Sequence, residues 1–365
     1  MANDLGAVAR KILVSSGGLA AGERVLILAR ADGLDFCDAL AVEAYRLGAV
    51  PLCVIYSDGL WQRALAEVPA AHLRQPPVHL VEAVKACHLV VWATLEFGDP
   101  RHFACLPQEK LAARRAGFKV MRDAIGLGGR RWIGMDLPTP GKAALHGLST
   151  QEFERLFWGA LEVDFEELRD RGRALQSALA QGTSVHIASP RGTDLWLEYG
   201  GRRVRRDDGV VDEEDMRLGD WYTNLPAGEV FLAPLEDSAR GRAVVDLAFW
   251  EGHRLEALEL VFERGRARAV GAGSGLELFR EVVSRSSGGC DVLGELGIGI
   301  NAGVSRPTGF TLTDEKIAGT VHIALGQNLM MGGANDSDLH WDLMILEPTV
   351  TVGGRKIVHR GRLMV

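Results

Sequence analysis

Four side chains with metal-ligand chemistry fall within the last third of this 365-residue chain: Glu295 in GELGIGIN, His322 in GTVHIALG, and His340 and Asp342 in LHWDLMI. Each sits on a short apolar stretch that reads as a β-strand. A polar side chain on a buried strand costs free energy unless something satisfies it, and a divalent cation would satisfy all four at once. The period supports this. Leu296, Ile298 and Ile300 share one strand face, leaving Glu295, Gly297, Gly299 and Asn301 on the other. Glycines beside a carboxylate leave room for a ligand or another backbone to approach. Val321, Ile323 and Leu325 alternate in the same way against His322, Ala324 and Gly326. His340 and Asp342 are two residues apart and point the same way, with Trp341 opposed. Upstream, the strand Glu229-Val230-Phe231-Leu232-Ala233 begins with a further carboxylate just after the turn-like Pro226-Ala227-Gly228.

Taken singly, none of these residues demands a metal. A lone Glu at a strand start is commonly solvated, a lone strand His is commonly hydrogen-bonded in the core, and His-x-Asp recurs by chance. Taken jointly they point to a metal-dependent enzyme, provided that the strands converge.

The elements around them divide the chain near Gly182. Val25 to Ala29 is an apolar run of the buried parallel-strand kind, Leu34 to Leu47 has helical spacing ended by Gly48, and Val50 to Tyr56 is the next strand. A helix around Leu80 to Ala86 leads into a strand at His88 to Ala93. This alternation implies a Rossmann-like parallel sheet covered by helices, and the absence of GxGxxG after the first strand speaks against a nucleotide cofactor. Gly126-Leu127-Gly128-Gly129 reads as a loop. Ser149-Thr150-Gln151-Glu152 has capping-box spacing and opens one long amphipathic helix towards Gln181. Strands and hairpins follow: Ser184 to Ala188, a turn at Pro190 to Asp194, Leu195 to Tyr199, a helix at Leu276 to Ser284, the strands bearing Glu295, His322, and His340 with Asp342, and a closing hairpin of Thr349 to Val352 and Lys356 to Val358 about Gly353-Gly354. The expected fold is α/β, with an N-terminal α/β domain over 1–182 and a C-terminal mixed α+β metal-binding catalytic domain over 183–365.

Composition narrows the function. A formal charge of −7, with Lys and Arg interspersed among acids, offers no nucleic-acid surface; the run Arg202-Arg203-Val204-Arg205-Arg206 is followed by Asp207-Asp208 and reads as a solvated hairpin. The odd set Cys37, Cys53, Cys87, Cys105 and Cys290 has no CxxC pair, which favours reduced thiols and a cytoplasmic protein. The N-terminus lacks the long apolar core of a signal peptide, and no stretch matches a membrane span. His72, His79, His88 and His102 fit no zinc spacing. Glu315 and Lys316 read equally as groups supporting the site or as an exposed loop pair.

Four segments, NLPAGEVFLAP (Asn224 to Pro234), GELGIGIN (Gly294 to Asn301), DEKIAGTVHIALG (Asp314 to Gly326) and HWDLMI (His340 to Ile345), resemble in order and spacing the M29 metallopeptidase family, the thermophilic aminopeptidase group. The likeness extends to Leu19–Ile27, similar to the family's opening strand and its approach. The resemblance implies ligation of one or two divalent ions (cobalt, zinc, magnesium or manganese) by Glu229, Glu295, His322, His340 and Asp342. It also implies Glu295 as bridge or proton acceptor, a homodimer, and hydrolysis of short peptides or other small amides, with release of N-terminal amino acids through metal-activated water. Two departures stand out. The family tyrosine seven residues after the His of HIALG is here Leu329, with the adjacent Asn328 as a candidate substitute, and the family's double Glu is reduced to Gly228-Glu229. A related branch resembling 2,5-dihydroxypyridine dioxygenase holds one non-haem iron through two histidines and a carboxylate, and has a histidine where this chain has Glu295; His322, His340 and Asp342 would supply such a triad. A non-catalytic, small-molecule-binding relative is the remaining alternative.

Overall fold

The computed structural model describes residues 4–95, 97–104, 106–126, 128–250 and 253–365. Cys105, and Leu127 of the Gly126–Gly129 loop, lie outside them. The chain forms two compact units, Met1–Trp158 with Gly209–Leu225, and Gly159–Asp208 with Pro226–Val365. No helix among the described residues is long and apolar enough to cross a membrane.

The first unit is built on a five-stranded parallel sheet of β1 (Arg24–Arg30), β2 (Val50–Tyr56), β3 (Leu89–Trp92), β4 (Arg131–Met135) and a later strand (Tyr222–Leu225). Its order is β2-β1-β3-β4 and then the later strand. β1, RVLILAR, is buried from Val25 to Arg30, because both faces are covered, and Leu26 and Leu28 join Leu80, Val81, Val84, Val90, Met121 and Ile125 in one core. The helix Leu34–Arg46 connects β1 to β2 and buries Phe36, Cys37, Leu40 and Ala44 at helical spacing. The alternating pattern read from the sequence thus gives the parallel sheet it implied.

The second unit holds an antiparallel sheet. Its strands are β5 (Ser184–Ala188), β6 (Asp194–Glu198), β7 (Arg205–Asp207), then, counting Tyr222–Leu225 as β8, β9 (Glu229–Leu232), β10 (Arg240–Trp250), β11 (His253–Glu263), β12 (Arg266–Gly271), β13 (Leu293–Gly299), β14 (Val321–Gly326), β15 (His340–Ile345), β16 (Thr349–Val352), β17 (Arg355–His359) and β18 (Arg362–Leu363). The order through the centre is β6-β10-β15-β14-β13-β9-β7. β9, β13 and β14 are buried along their whole length, so any polar side chain on them is withdrawn from water.

Two local expectations change. The single long helix from Ser149 to Gln181 is two helices, Thr150–Leu161 and Phe165–Leu179, because Asp164 accepts the Glu166 amide at 2.9 Å and caps a new start. The half of the capping box at Ser149 forms, its hydroxyl accepting the Glu152 amide at 3.2 Å. The basic run near Arg202 is not a solvated hairpin. Arg205–Asp207 is a strand paired to β9, Arg206 is buried against Asp208 at 2.6 Å, and Arg202 bonds both oxygens of Glu236 at 2.7 and 2.9 Å. Asp208, which follows the run, is a partner of Arg206 rather than a solvated neighbour.

Candidate metal centre

The five side chains singled out in the sequence converge on one face of the four adjacent strands β9, β13, β14 and β15. Register explains how. Gly299 pairs with Glu229, Gly297 with His322, Ala324 with both Glu295 and Asp342, and Gly326 with His340. The small residues lie between the functional ones, and at Gly297 and Gly299 the reason is steric. A Cβ at Gly297 would stand 2.0 Å from Nε2 of His322, so the imidazole lies across this glycine to reach Glu229 two strands away. A Cβ at Gly299 would stand 2.1 Å from the Ile317 carbonyl oxygen, the backbone approach that the glycine face anticipated.

Glu295 is the hub. His322 Nε2 lies 3.4 Å from Oε1 and His340 Nε2 3.2 Å from Oε2 of this one carboxylate. Oε2 of Glu229 is 3.2 Å from His322 Nε2, and Oδ1 of Asp342 is 3.7 Å from His340 Nε2. Among the described residues, the donor atoms fall into two groups compact enough to hold an ion: Glu229, Glu315 and His322, and Glu295, His340 and Asp342. His340 donates from Nδ1 to the Gln327 carbonyl, a partner that can only accept, at 2.8 Å, so Nδ1 carries hydrogen and Nε2 is the atom presented to a metal. His322 Nδ1 is buried with no hydrogen-bond partner. His340 is the open side of the cluster, its side chain 35% exposed, while Glu229, Glu295 and His322 are under 10%.

Two residues left undecided in the sequence complete the cluster. Glu315 and Lys316 are buried, not an exposed loop pair. Lys316 Nζ lies 2.5 Å from Glu229 Oε1, 2.7 Å from Glu315 Oε1 and 3.8 Å from Asp207 Oδ2. Their segment is pinned to the end of β13: Gly299 N donates to Thr320 O at 3.1 Å, Gly319 N to Gly299 O at 2.9 Å and Asn301 N to Lys316 O at 2.8 Å. The carboxylate of Asp314 receives the amides of Thr308 and Gly309 at 2.8 and 2.7 Å and fixes the turn before it. The usable signal was the bare glycine face of β13, which needs a backbone laid against it.

Without metal, protons and Lys316 balance the carboxylates. Burial alone would lower both imidazoles, but the hydrogen bonds and charges of Glu229 and Glu295 raise His322 far above the usual range, and Glu295 and Asp342 raise His340 to about 10. Burial pushes Glu295 up, and the two histidines pull it far below. Glu229 is likewise pushed up by burial and held low by Lys316 and His322. Burial raises Asp342, and raises Glu315 to about 8, against the opposing charges of His340 and Lys316 respectively. Four carboxylates and two imidazoles around three cationic charges, two of them displaceable protons, are a donor set that fits divalent ions.

The chain matches the thermophilic metalloprotease (M29) family model over residues 1–362. It is 30% identical over 374 residues to aminopeptidase T of Thermus aquaticus, covering 91% of this chain and 90% of that protein. The chain belongs to the M29 family. It is thus an enzyme of the metallopeptidase class. Aminopeptidase T of Thermus thermophilus is 29% identical with 94% of each chain covered, and the solved structure of wild-type AmpT from that organism superposes with a TM-score of 0.81 at 27% identity over 99% of each chain. The 2,5-dihydroxypyridine 5,6-dioxygenase of Pseudomonas putida is 23% identical over 210 residues, 54% of this chain and 58% of that one. Its structure, at 16% identity and a TM-score of 0.68, shares the fold.

The two departures from the M29 pattern now have physical readings. Gly228 has φ +131° and a Cβ there would stand 2.5 Å from Cβ of Asn301, so a second glutamate does not fit. Leu329 lies in the 3-10 turn Leu329–Met331 and is 47% exposed. Asn328 is no stand-in for the tyrosine: it is fully buried, donating to Glu236 at 3.1 Å and accepting from the Asn335 amide at 2.8 Å. Of the upstream histidines, His88 accepts the Arg24 amide at 3.1 Å, and none of the four joins a candidate metal group among the described residues.

Proposed function

We propose that this protein is a metallo-aminopeptidase that removes N-terminal residues from short peptides or small amides. Glu229, Glu295, His322, His340 and Asp342, with Glu315 added, would hold one or two divalent ions of the cobalt, zinc, magnesium or manganese kind. Such ions supply Lewis-acid polarisation of a carbonyl and acidify water near neutral pH. The observation that carries this reading is the single carboxylate of Glu295 reaching a histidine of each donor group with each of its oxygens.

The chain's own residues divide the remaining work. Glu295 lies between the groups and is the carboxylate placed to accept the proton released by an attacking water. Gln327, through its carbonyl, holds the His340 ring in the tautomer that presents Nε2. Lys316 engages one oxygen each of Glu229 and Glu315, so that the other oxygen of each would serve as a single donor. Asp342, beside the exposed His340, is the acid nearest the open side, where a free α-ammonium would be met. Leu329 puts no phenol near the site, so turnover on common aminoacyl substrates is expected to be slow.

The separation of His322 and His340 into different donor groups argues against a two-His-one-carboxylate iron site, as does Glu295 itself. The test is hydrolysis of leucyl anilide with added cobalt, zinc, manganese or magnesium, alongside the N-acetylated substrate. Cleavage of the free amine form alone is expected. Cleavage of both forms, or of neither with any metal, would reject an aminopeptidase.

A further inference from the structure

The β9 side of the metal cluster is apolar. Phe231 and His322 pair with Gly297 from its two sides, so both project from the face that carries the cluster, and Phe231 is two residues from Glu229 on that face. Phe231 packs with Ala233 and Met331 in one buried group. Met331 ends the turn Leu329–Met331, whose other two side chains, Leu329 and Met330, remain 47 and 50% exposed. From Gln327 to Ala334 there is no charged side chain. The turn is nevertheless firmly held. It starts from Gln327, whose carbonyl orients His340, and its neck is closed by the Asn328 amide donating to Asn335 O at 3.1 Å and the Asn335 amide to Asn328 Oδ1 at 2.8 Å. Glu236 accepts from Asn328 Nδ2 at 3.1 Å and from the Ala334 amide at 2.7 Å. A fixed apolar surface that continues into a polar cluster has the composition of a ligand site.

We infer that Phe231, Leu329, Met330 and Met331 receive the side chain of the substrate's N-terminal residue and select an apolar one, such as leucine or methionine, over a charged one. The inference rests on the aminopeptidase reading, which brings the α-amine and the scissile carbonyl of that residue to the cluster. Its side chain then lies beside the cluster, and on the β9 side the adjoining surface is Phe231 with the turn that Met331 anchors there. Leu329, where the M29 resemblance expects a tyrosine, extends this apolar surface instead of adding a hydroxyl to it. A charged side chain would lose hydration against the turn and find no counter-charge on it. Glu236, the acid bonded to the neck, already holds Arg202 on both oxygens. The two methionines are unbranched and adaptable, so apolar side chains of several shapes fit the same surface.

Calorimetric binding of amino-acid hydroxamates to the cobalt-loaded protein tests this without turnover, because a hydroxamate chelates metal while carrying the chosen side chain. Leucine hydroxamate should bind about tenfold or more tightly than the glycine, lysine and glutamate compounds. Met331→Ala, and Leu329→Asp at an exposed position that tolerates the change if the alanine variant folds poorly, should each cut the leucine-to-glycine affinity ratio about tenfold. A general disturbance of the fold would move both affinities together and leave that ratio alone. The kcat/KM values of leucyl, glycyl, lysyl and glutamyl anilides, measured alongside, should follow the same order. Cleavage of leucyl anilide with leucine and glycine hydroxamates bound equally, or with the ratio unmoved in both variants, would overturn the inference and leave the aminopeptidase reading standing. Lysine or glutamate hydroxamate bound as tightly as leucine hydroxamate would overturn it too. A leucine preference that falls in the variants, with no anilide cleaved, would support the apolar receptor and reject the peptidase reading.

Discussion

Replacing Gly297 with alanine adds one methyl group, remote in sequence from every proposed ligand except Glu295. Its Cβ would stand 2.0 Å from Nε2 and 2.1 Å from Cε1 of His322, against the roughly 3.5–4.0 Å at which non-bonded atoms rest. The ring has little room to retreat, because Glu229 Oε2 and Glu295 Oε1 already lie 3.2 and 3.4 Å from its Nε2. Either β14 moves away from β13 or the imidazole swings out of the cluster. Overpacking of this kind costs about 1–3 kcal/mol, a fall of a few degrees in melting temperature. Function should suffer more, since a displacement of about 1 Å in a catalytic group can cost on the order of a hundredfold in rate. The assay is metal content by mass spectrometry after equilibrium dialysis, with kcat/KM on leucyl anilide. Gly159→Ala serves as control, because its Cβ meets nothing within 4 Å. Full metal content and kcat/KM within about twofold of wild type in Gly297→Ala would refute the reasoning.

Lys316→Met should destabilise the metal-free protein by about 3–5 kcal/mol, because Glu229 and Glu315 would lose the cation buried with them; an unchanged denaturation midpoint would contradict this. His340 titrates near 10 in the metal-free fold, above its ordinary 6.5. The stability it contributes is therefore complete below about pH 6.5 and is lost as pH rises through about 10, whereas cobalt affinity should rise over the same range as the proton becomes easier to displace. Melting curves and metal titrations between pH 6.5 and 10 check both signs, and affinity flat or falling with pH would count against Nε2 as a donor. Leu329→Tyr should raise kcat on leucyl anilide, towards the roughly hundredfold that one oxyanion donor is worth. An unchanged kcat would mean that position 329 has no part in turnover.

Much of this was legible because strand alternation carries it. His340 and Asp342 share a face through a two-residue spacing, and β2 and β16 run over the very residues the pattern marks, Val50–Tyr56 and Thr349–Val352. The glycine face of β13 was legible as a place of close approach, but not what approaches. That is set by the loop Glu315–Thr320, whose burial depends on hydrogen bonds to residues far away in the chain, so Glu315 and Lys316 could not be told from an exposed pair. The break at Asp164 was hidden for the opposite reason: the apolar spacing runs on through it, and only the cap at 2.9 Å reveals a second start. The basic stretch misled because the charge of Arg202 and Arg206 says nothing about Glu236 and Asp208 waiting beside them.

The central claim is that these side chains hold divalent metal, and cobalt titration of the chelator-stripped protein tests it most directly. Visible absorption from cobalt in a nitrogen and oxygen site should appear and saturate at one or two equivalents, and should be lost or halved in His322→Ala and in His340→Ala. No saturable absorption in the wild type, or the same saturation in both variants, would contradict the account.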